Sequence, residues 1–136
     1  MMRSRFVRMP VFLFFPLWLL SCGQAATDLI SIQEQRSENH VVTLLSETAE
    51  LEQRSNRLVL EFRDGATNEL TPVDNVQIQA TMPMAGMPPM FGEVSPPAST
   101  APGRYEFSVD FSMVGGWTLV VSFDTDERVQ FNLNAR

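Results

Sequence analysis

The chain has 136 residues, a formal net charge of −6, and only one cysteine and one histidine. This length corresponds to one domain of ordinary size. An acidic chain without lysine lacks the basic surface that nonspecific nucleic-acid binding requires, so nucleic acid is excluded as a partner. The cysteine and histidine counts also exclude an internal disulfide, a zinc site made of these two residue types and a CxxC redox centre.

The first 21 residues have the organisation of a secretory signal peptide. Three arginines within the first eight residues precede an apolar core, Val11–Leu20, which is too short to span a bilayer as a helix. The core ends in Leu-Leu-Ser-Cys at residues 19–22, which resembles the lipobox of bacterial lipoproteins, where the cysteine is acylated and becomes the mature N-terminus. We predict lipid attachment, palmitate included, at Cys22; the alternative is an ordinary signal peptide with an incidental cysteine.

Acylation would place the protein in the bacterial cell envelope, anchored to a membrane and facing the periplasm. Gly23 follows the cysteine where inner-membrane lipoproteins usually carry Asp, which favours the outer membrane. Residues 22–39 are polar and lack periodicity, and they are predicted to form the lipidated N-terminus and a flexible tether. The folded domain is expected to comprise residues 40–136.

Beyond residue 40, apolar and polar residues alternate with period two, as in strands that have one buried and one solvated face. Strands are predicted in the runs 40–46, 58–63, 76–82, 91–95, 105–113, 117–124 and 128–134. Turn signals separate the runs: Asp64-Gly65, Asp74-Asn75, Pro102-Gly103, Gly115-Gly116 and Asp124–Glu127. Thr43–Arg54 is compatible with a helix, but a strand followed by a loop is favoured. Six or seven strands in this length predict an all-β fold, a small immunoglobulin-like antiparallel β-sandwich.

Five methionines form the candidate functional site: Met82, Met84, Met87, Met90 and Met113. If Phe91–Ser95 is a strand, counting strands places Met113 at the same end of the sandwich as the other four. Thioethers are soft, uncharged ligands that select Cu(I) over hard cations. Methionines also fill gaps at core ends and form apolar docking surfaces, and the sequence leaves these alternatives open.

The same counting places His40 at the opposite end, where it is expected to be a surface residue at the start of a strand. The carboxylates Asp124, Asp126 and Glu127 lie in a predicted hairpin turn and are expected to be solvated. No histidine accompanies a nucleophile, so no catalytic triad is indicated and the protein is predicted not to be an enzyme.

Two motif blocks carry a resemblance to a known family. They are Met82-Pro83-Met84, followed by Pro-Gly-Arg-Tyr at residues 102–105, and Phe-Ser-Met-Val-Gly-Gly-Trp at residues 111–117. Their order and spacing resemble the YtkA-like domain, a relative of the FixH-like proteins. The resemblance covers residues 40–134 and implies a small extracytoplasmic β-sandwich without catalysis, found near copper-handling, metal-efflux and oxidase-assembly systems.

One departure from the family pattern restricts the metal ions that the methionine-rich segment is expected to bind. Members often carry a histidine within the methionine-rich segment, whereas Ala85, Gly86, Met87 and Pro88 fill that region here. Without imidazole the segment disfavours Cu(II) and leaves an all-thioether Cu(I) site. The function predicted first is therefore a lipid-anchored Cu(I) carrier or buffer. The alternative is a metal-free module that docks on an envelope efflux or assembly complex.

Overall fold

A computed structural model describes residues 28–136, which form ten β-strands and no helix. The strands are β1 (Ile30–Arg36), β2 (His40–Ser46), β3 (Arg54–Asp64), β4 (Gln77–Met84), β5 (Met87–Phe91), β6 (Glu93–Val94), β7 (Ala98–Ala101), β8 (Arg104–Phe111), β9 (Gly115–Phe123) and β10 (Glu127–Ala135). The signal peptide and Cys22 lie outside the described residues. Within 28–136, no helix is long and apolar enough to cross a membrane.

Two antiparallel sheets contain the strands. The first has the order β1-β2-β3-β8-β6, with β7 also paired to β8, and the second has the order β10-β9-β4-β5. All named strand pairs are antiparallel, and an isolated parallel bridge joins Leu51 to Ala135. The predicted antiparallel sandwich is confirmed, with ten strands rather than six or seven.

The core lies between the sheets and is built from the inward rows of the alternating strands. In β9, for example, every second residue from Trp117 to Phe123 is buried. Side chains of this size that leave water contribute about 1.5–3 kcal/mol each. The largest fully buried side chains are aromatic: Trp117, Phe62, Phe111, Phe123 and Phe131. These side chains belong to one hydrophobic cluster between the sheets, and a domain of this size can be supported by one such core without a disulfide.

Two sequence predictions need correction. Ile30–Arg36, assigned to the flexible tether, is strand β1; it pairs with β2, and Ile32 packs against the core. The period-two signal is hidden because β1 is an edge strand with polar residues on both faces.

The predicted strand Phe91–Ser95 is divided: β5 pairs with β4 in the second sheet, whereas β6 pairs with β8 in the first. Gly92 lies at the crossing, where the chain changes sheets.

The ambiguous stretch Thr43–Arg54 is a strand followed by a loop, as favoured from the sequence. Strand β2 ends at Ser46, and an extended loop carries Leu51 into the core. Asn56 fixes this loop because its side-chain amide accepts a hydrogen bond from the Glu52 N–H at 2.9 Å and donates one to the Glu52 carbonyl at 2.8 Å. Burial of Leu51 together with these bonds makes the loop a rigid part of the sandwich.

Candidate functional site

The methionines of strands β4 and β5 lie on one tight hairpin. Met84 and Met87 face each other across a two-residue turn, and Met82 faces Met90. Gly86 in the turn has φ 71°, a conformation that favours glycine. In antiparallel pairs, side chains directly opposite each other lie about 4.5–5.5 Å apart at Cβ. The hairpin therefore places its four methionines in two facing pairs, with a register irregularity between Met82 and Met84.

Met113 lies beside this hairpin, in the loop between β8 and β9. Thr81 of β4 pairs with Thr118 of β9, so the start of β9 at Gly115 is level with the end of β4. A Cβ atom at Gly115 would lie only 2.5 Å from the Cε methyl of Met82. The start of β9, which follows the loop that carries Met113, is therefore packed closely against Met82. We call the five methionines at this end of the sandwich the methionine end.

The members of the methionine end differ in exposure. Met82 and Met90 are half-buried and pack against the core. Met84 is half-buried, while Met87 and Met113 are 60% and 42% exposed. Side chains that are free on the surface can rearrange around an ion without disturbing the core, because methionine has three rotatable bonds. The half-buried Met82 and Met90 would supply ligands in fixed positions, and the exposed Met87 and Met113 would supply ligands that can move.

Trp117 explains why the second motif block combines a methionine with a tryptophan four residues later. Its indole N–H donates a hydrogen bond to the Met113 carbonyl at 2.9 Å. The indole ring is buried and lies 5.2 Å, centroid to centroid, from Phe111. Because the ring is held in the core, its hydrogen bond fixes the loop that carries Met113.

Replacing Trp117 with phenylalanine tests this positioning role. We expect Trp117→Phe to lower the free energy of unfolding by about 1–2 kcal/mol, since the Met113 carbonyl loses its donor and the core loses volume. We also expect the Met113 methyl signal, observed with 13C-labelled methionine, to narrow as the loop gains mobility. The control is Phe123→Leu, at the other end of the core, which should cost stability but leave the Met113 signal unchanged. Equal effects of both variants on Met113 would contradict the role of the hydrogen bond.

The methionine end also carries the main exposed apolar surface within residues 28–136. Four of the six exposed large apolar side chains lie there: Met87, Phe91, Met113 and Val114. The other two are Ile30, at the start of β1, and Leu70, which forms an isolated bridge with Arg63. Contiguous apolar patches on soluble domains usually mark a contact with a partner or a membrane. The same residues therefore offer soft ligands and an apolar contact surface.

His40 lies at the opposite end, as predicted, but it is not a surface residue. Its side chain is only 12% exposed, and its ring makes an edge contact with Phe123 at 5.5 Å between centroids. Its Nδ1 atom lies 3.0 Å from Glu127 Oε1. Glu127, expected to be solvated in a turn, is likewise only 15% exposed. Sequence reasoning missed this pair because the two residues are 87 positions apart and belong to different sheets.

Asp124, predicted to be a solvated turn residue, is also tied into the structure. It has φ 50°, its N–H donates to the Asp74 carbonyl at 2.7 Å, and its Oδ1 accepts from the Asp74 N–H at 2.8 Å. These two bonds lock the β9–β10 turn onto the loop before β4. Its neighbour Asp126 is exposed, as expected.

Comparison with known proteins gives a matching family and a similar solved structure. A family model described as YtkA-like matches residues 34–122, about two thirds of the chain. A crystal structure of the Lin-41 filamin domain is similar at 19% identity and a TM-score of 0.46, covering 64% of this chain and 81% of that one. No curated protein sequence matches the chain significantly.

Proposed function

The chain belongs to the YtkA-like family, and from this premise and the geometry of the methionine end we propose that it is a lipid-anchored extracytoplasmic Cu(I)-binding protein. Its role would be that of a carrier or buffer, without catalysis. The observation that carries the proposal is that four methionines lie on the β4–β5 hairpin and Met113 lies in the β8–β9 loop at the same end of the sandwich. Three or four thioethers suit Cu(I), and within residues 28–136 the one histidine lies at the far end of the sandwich.

The proposed anchor also gives the domain an orientation. Strand β1 begins at Ile30, opposite Ser46, and so toward the methionine end. Only seven residues separate Cys22 from Ile30, a stretch that reaches at most about 28 Å. An acylated Cys22 would therefore hold the methionine end toward the membrane. A copper site facing the membrane is suited to exchange with a membrane-embedded partner.

Replacing methionine sulfurs while keeping their volume tests the copper proposal. We expect the triple variant Met84→Leu, Met87→Leu and Met90→Leu to lose Cu(I) affinity by at least about 100-fold. Loss of a group that only orients a metal ligand already costs about 10–100-fold in affinity, and this variant removes the ligand sulfurs themselves. Affinity is measured on the full-length protein in detergent under reducing conditions, against a chromophoric Cu(I) chelator. Volume-conserving exchange of methionine and leucine costs little stability, so unfolding in urea should change little.

The matched control uses an apolar residue far from the methionine end. Leu70→Met adds a thioether at an exposed position beside Arg63, near the start of β2, and should not raise Cu(I) affinity. Unchanged affinity in the triple leucine variant would contradict the proposal.

The exposed apolar residues Phe91 and Val114 favour a second function, docking on an envelope protein. This alternative makes a different prediction for the triple leucine variant, and co-purification tests it. The triple leucine variant would keep co-purification with a partner, because leucine preserves the apolar surface. Phe91→Asp or Val114→Asp would abolish co-purification with the partner and leave Cu(I) affinity unchanged.

A further inference from the structure

A second group of potential metal ligands lies at the end of the sandwich opposite the methionines. It combines His40 at the start of β2, Asp124 in the β9–β10 turn and Glu127 at the start of β10. One ligand atom from each of the three residues lies within 4.8 Å of the other two. His40 Nδ1 is 3.0 and 3.1 Å from the two carboxylate oxygens of Glu127.

The three side chains are held in place by contacts that do not depend on an ion. The His40 ring packs on Phe123, and Asp124 is fixed to Asp74 by the two hydrogen bonds described above. The bond from Asp74 uses Asp124 Oδ1, and a carboxylate has a second oxygen to offer. The site is therefore largely formed in advance, which reduces the entropy lost when an ion binds.

The charge of the cluster suits a cation. Asp124 and Glu127 supply two carboxylates and His40 supplies an imidazole nitrogen, a ligand set that balances the charge of a divalent ion.

The distances suit a small tetrahedral ion after a modest movement. Zinc binds nitrogen and oxygen at 2.0–2.2 Å, so tetrahedral ligand atoms lie about 3.3–3.6 Å apart. The His40–Glu127 separations are close to this, and no separation in the cluster exceeds 4.8 Å, so a movement of about 1 Å brings the ligand atoms to tetrahedral spacing. Asp124 and Glu127 line an open depression of about 290 Å³, and His40 lines a second one of about 320 Å³, so all three residues adjoin solvent.

We propose that His40, Asp124 and Glu127 form a second metal site that binds a divalent cation of the zinc class. One imidazole and two carboxylates are ligands of borderline hardness, suited to Zn²⁺ and Co²⁺ rather than to Cu(I). Two ends of one sandwich would then bind metals of different chemistry. Under the proposed anchor orientation, the divalent site faces away from the membrane.

Zinc titration of the full-length protein in detergent tests the site, and the single histidine gives a local readout. We expect one Zn²⁺ to bind per chain and to shift the ring proton signals of His40, the one histidine in the sequence. Asp124→Asn and Glu127→Gln should each weaken Zn²⁺ binding by at least about 100-fold, measured against a chromophoric zinc chelator. Co²⁺ should give the intense visible bands of a four-coordinate ion, lost in His40→Gln.

The matched control is Asp126→Asn, which removes the same charge from the same turn but lies outside the cluster. It should leave Zn²⁺ affinity within about 3-fold of the unmodified protein, as general charge effects at the surface are screened. The triple leucine variant should also keep full Zn²⁺ affinity, which separates this site from the Cu(I) proposal. Histidine ring signals that do not respond to Zn²⁺, or equal losses in Asp126→Asn and Asp124→Asn, would overturn the proposal.

Discussion

Replacing Gly103 with alanine is expected to lower the free energy of unfolding by about 3–4 kcal/mol. Gly103 has φ 74° and is buried in the turn between β7 and β8. A Cβ atom there would lie 2.8 Å from the Thr71 nitrogen and 2.9 Å from the Phe62 carbonyl oxygen. These are backbone atoms joined by a hydrogen bond from the Thr71 N–H to the Phe62 carbonyl, so they cannot move apart without breaking it.

Gly86→Ala is the matched control, measured by the same urea unfolding experiment. Gly86 has nearly the same φ, 71°, but a Cβ atom at this position would meet nothing within 4 Å. It should cost only the conformational penalty, about 1 kcal/mol. If the two variants lose equal stability, close packing around Gly103 is not the reason for glycine at that position.

Replacing Glu61 with glutamine is expected to cost about 2–3 kcal/mol at pH 7. The Glu61 side chain is 9% exposed and pairs with Arg104 through one oxygen and with Arg63, at 3.0 Å, through the other. Glutamine keeps the shape but leaves two guanidinium groups without their anion in a partly buried position. The measurement is urea unfolding at a series of pH values.

The direction of the Glu61 pKa shift determines how its contribution to stability changes with pH. Burial raises the pKa of Glu61, but hydrogen bonds and charges from Arg104 and Arg63 outweigh it, so the pKa lies below the ordinary 4.5. Because the pKa is lower in the folded state, the carboxylate stabilises the fold above about pH 4.5, and this contribution is lost as the pH falls through the lowered pKa. The stability difference between the protein and Glu61→Gln should therefore be constant near pH 7 and shrink in acid.

The control for this pair is Glu106→Gln, which removes the carboxylate that accepts a 2.6 Å bond from Arg57. This second pair bridges the same two strands, but both partners are considerably more exposed. Solvent-exposed ion pairs contribute little to stability, so we expect only a small change. A large loss in Glu106→Gln, or a Glu61→Gln difference that grows in acid, would contradict the assignment of the stabilising pair.

The glycine and tryptophan of the family motifs have structural roles that the sequence did not assign. The Pro-Gly turn was predicted, but the sequence does not show that Gly103 touches Phe62 and Thr71, since these contacts join segments about 30 to 40 residues apart. Trp117 lies in a strand run, 117–124, that was predicted from alternation. That it holds the Met113 carbonyl follows only from the path of the β8–β9 loop.

The sequence by itself determined the fold class and the faces of the long strands, and it placed Met113 at the end of the hairpin methionines only on the condition that Phe91–Ser95 is a strand. Period-two alternation is a local property, because each strand must bury one face, and counting strands then gives their directions. The sequence missed β1, since only Ile30 and Ile32 alternate with polar residues there and the rest of this edge strand is polar on both faces. It also missed the change of sheet at Gly92, because a run of five residues fits one strand as well as two.

The tertiary structure alone decided which side chains meet between the sheets. His40 and Glu127 begin strands in different sheets, and each separately has the pattern of a surface residue. Their contact depends on the relative position of the sheets, which is set by the packing of Phe62 and Phe123 between them. Close packing of large side chains allows few arrangements of two sheets, and no local pattern encodes which one is adopted.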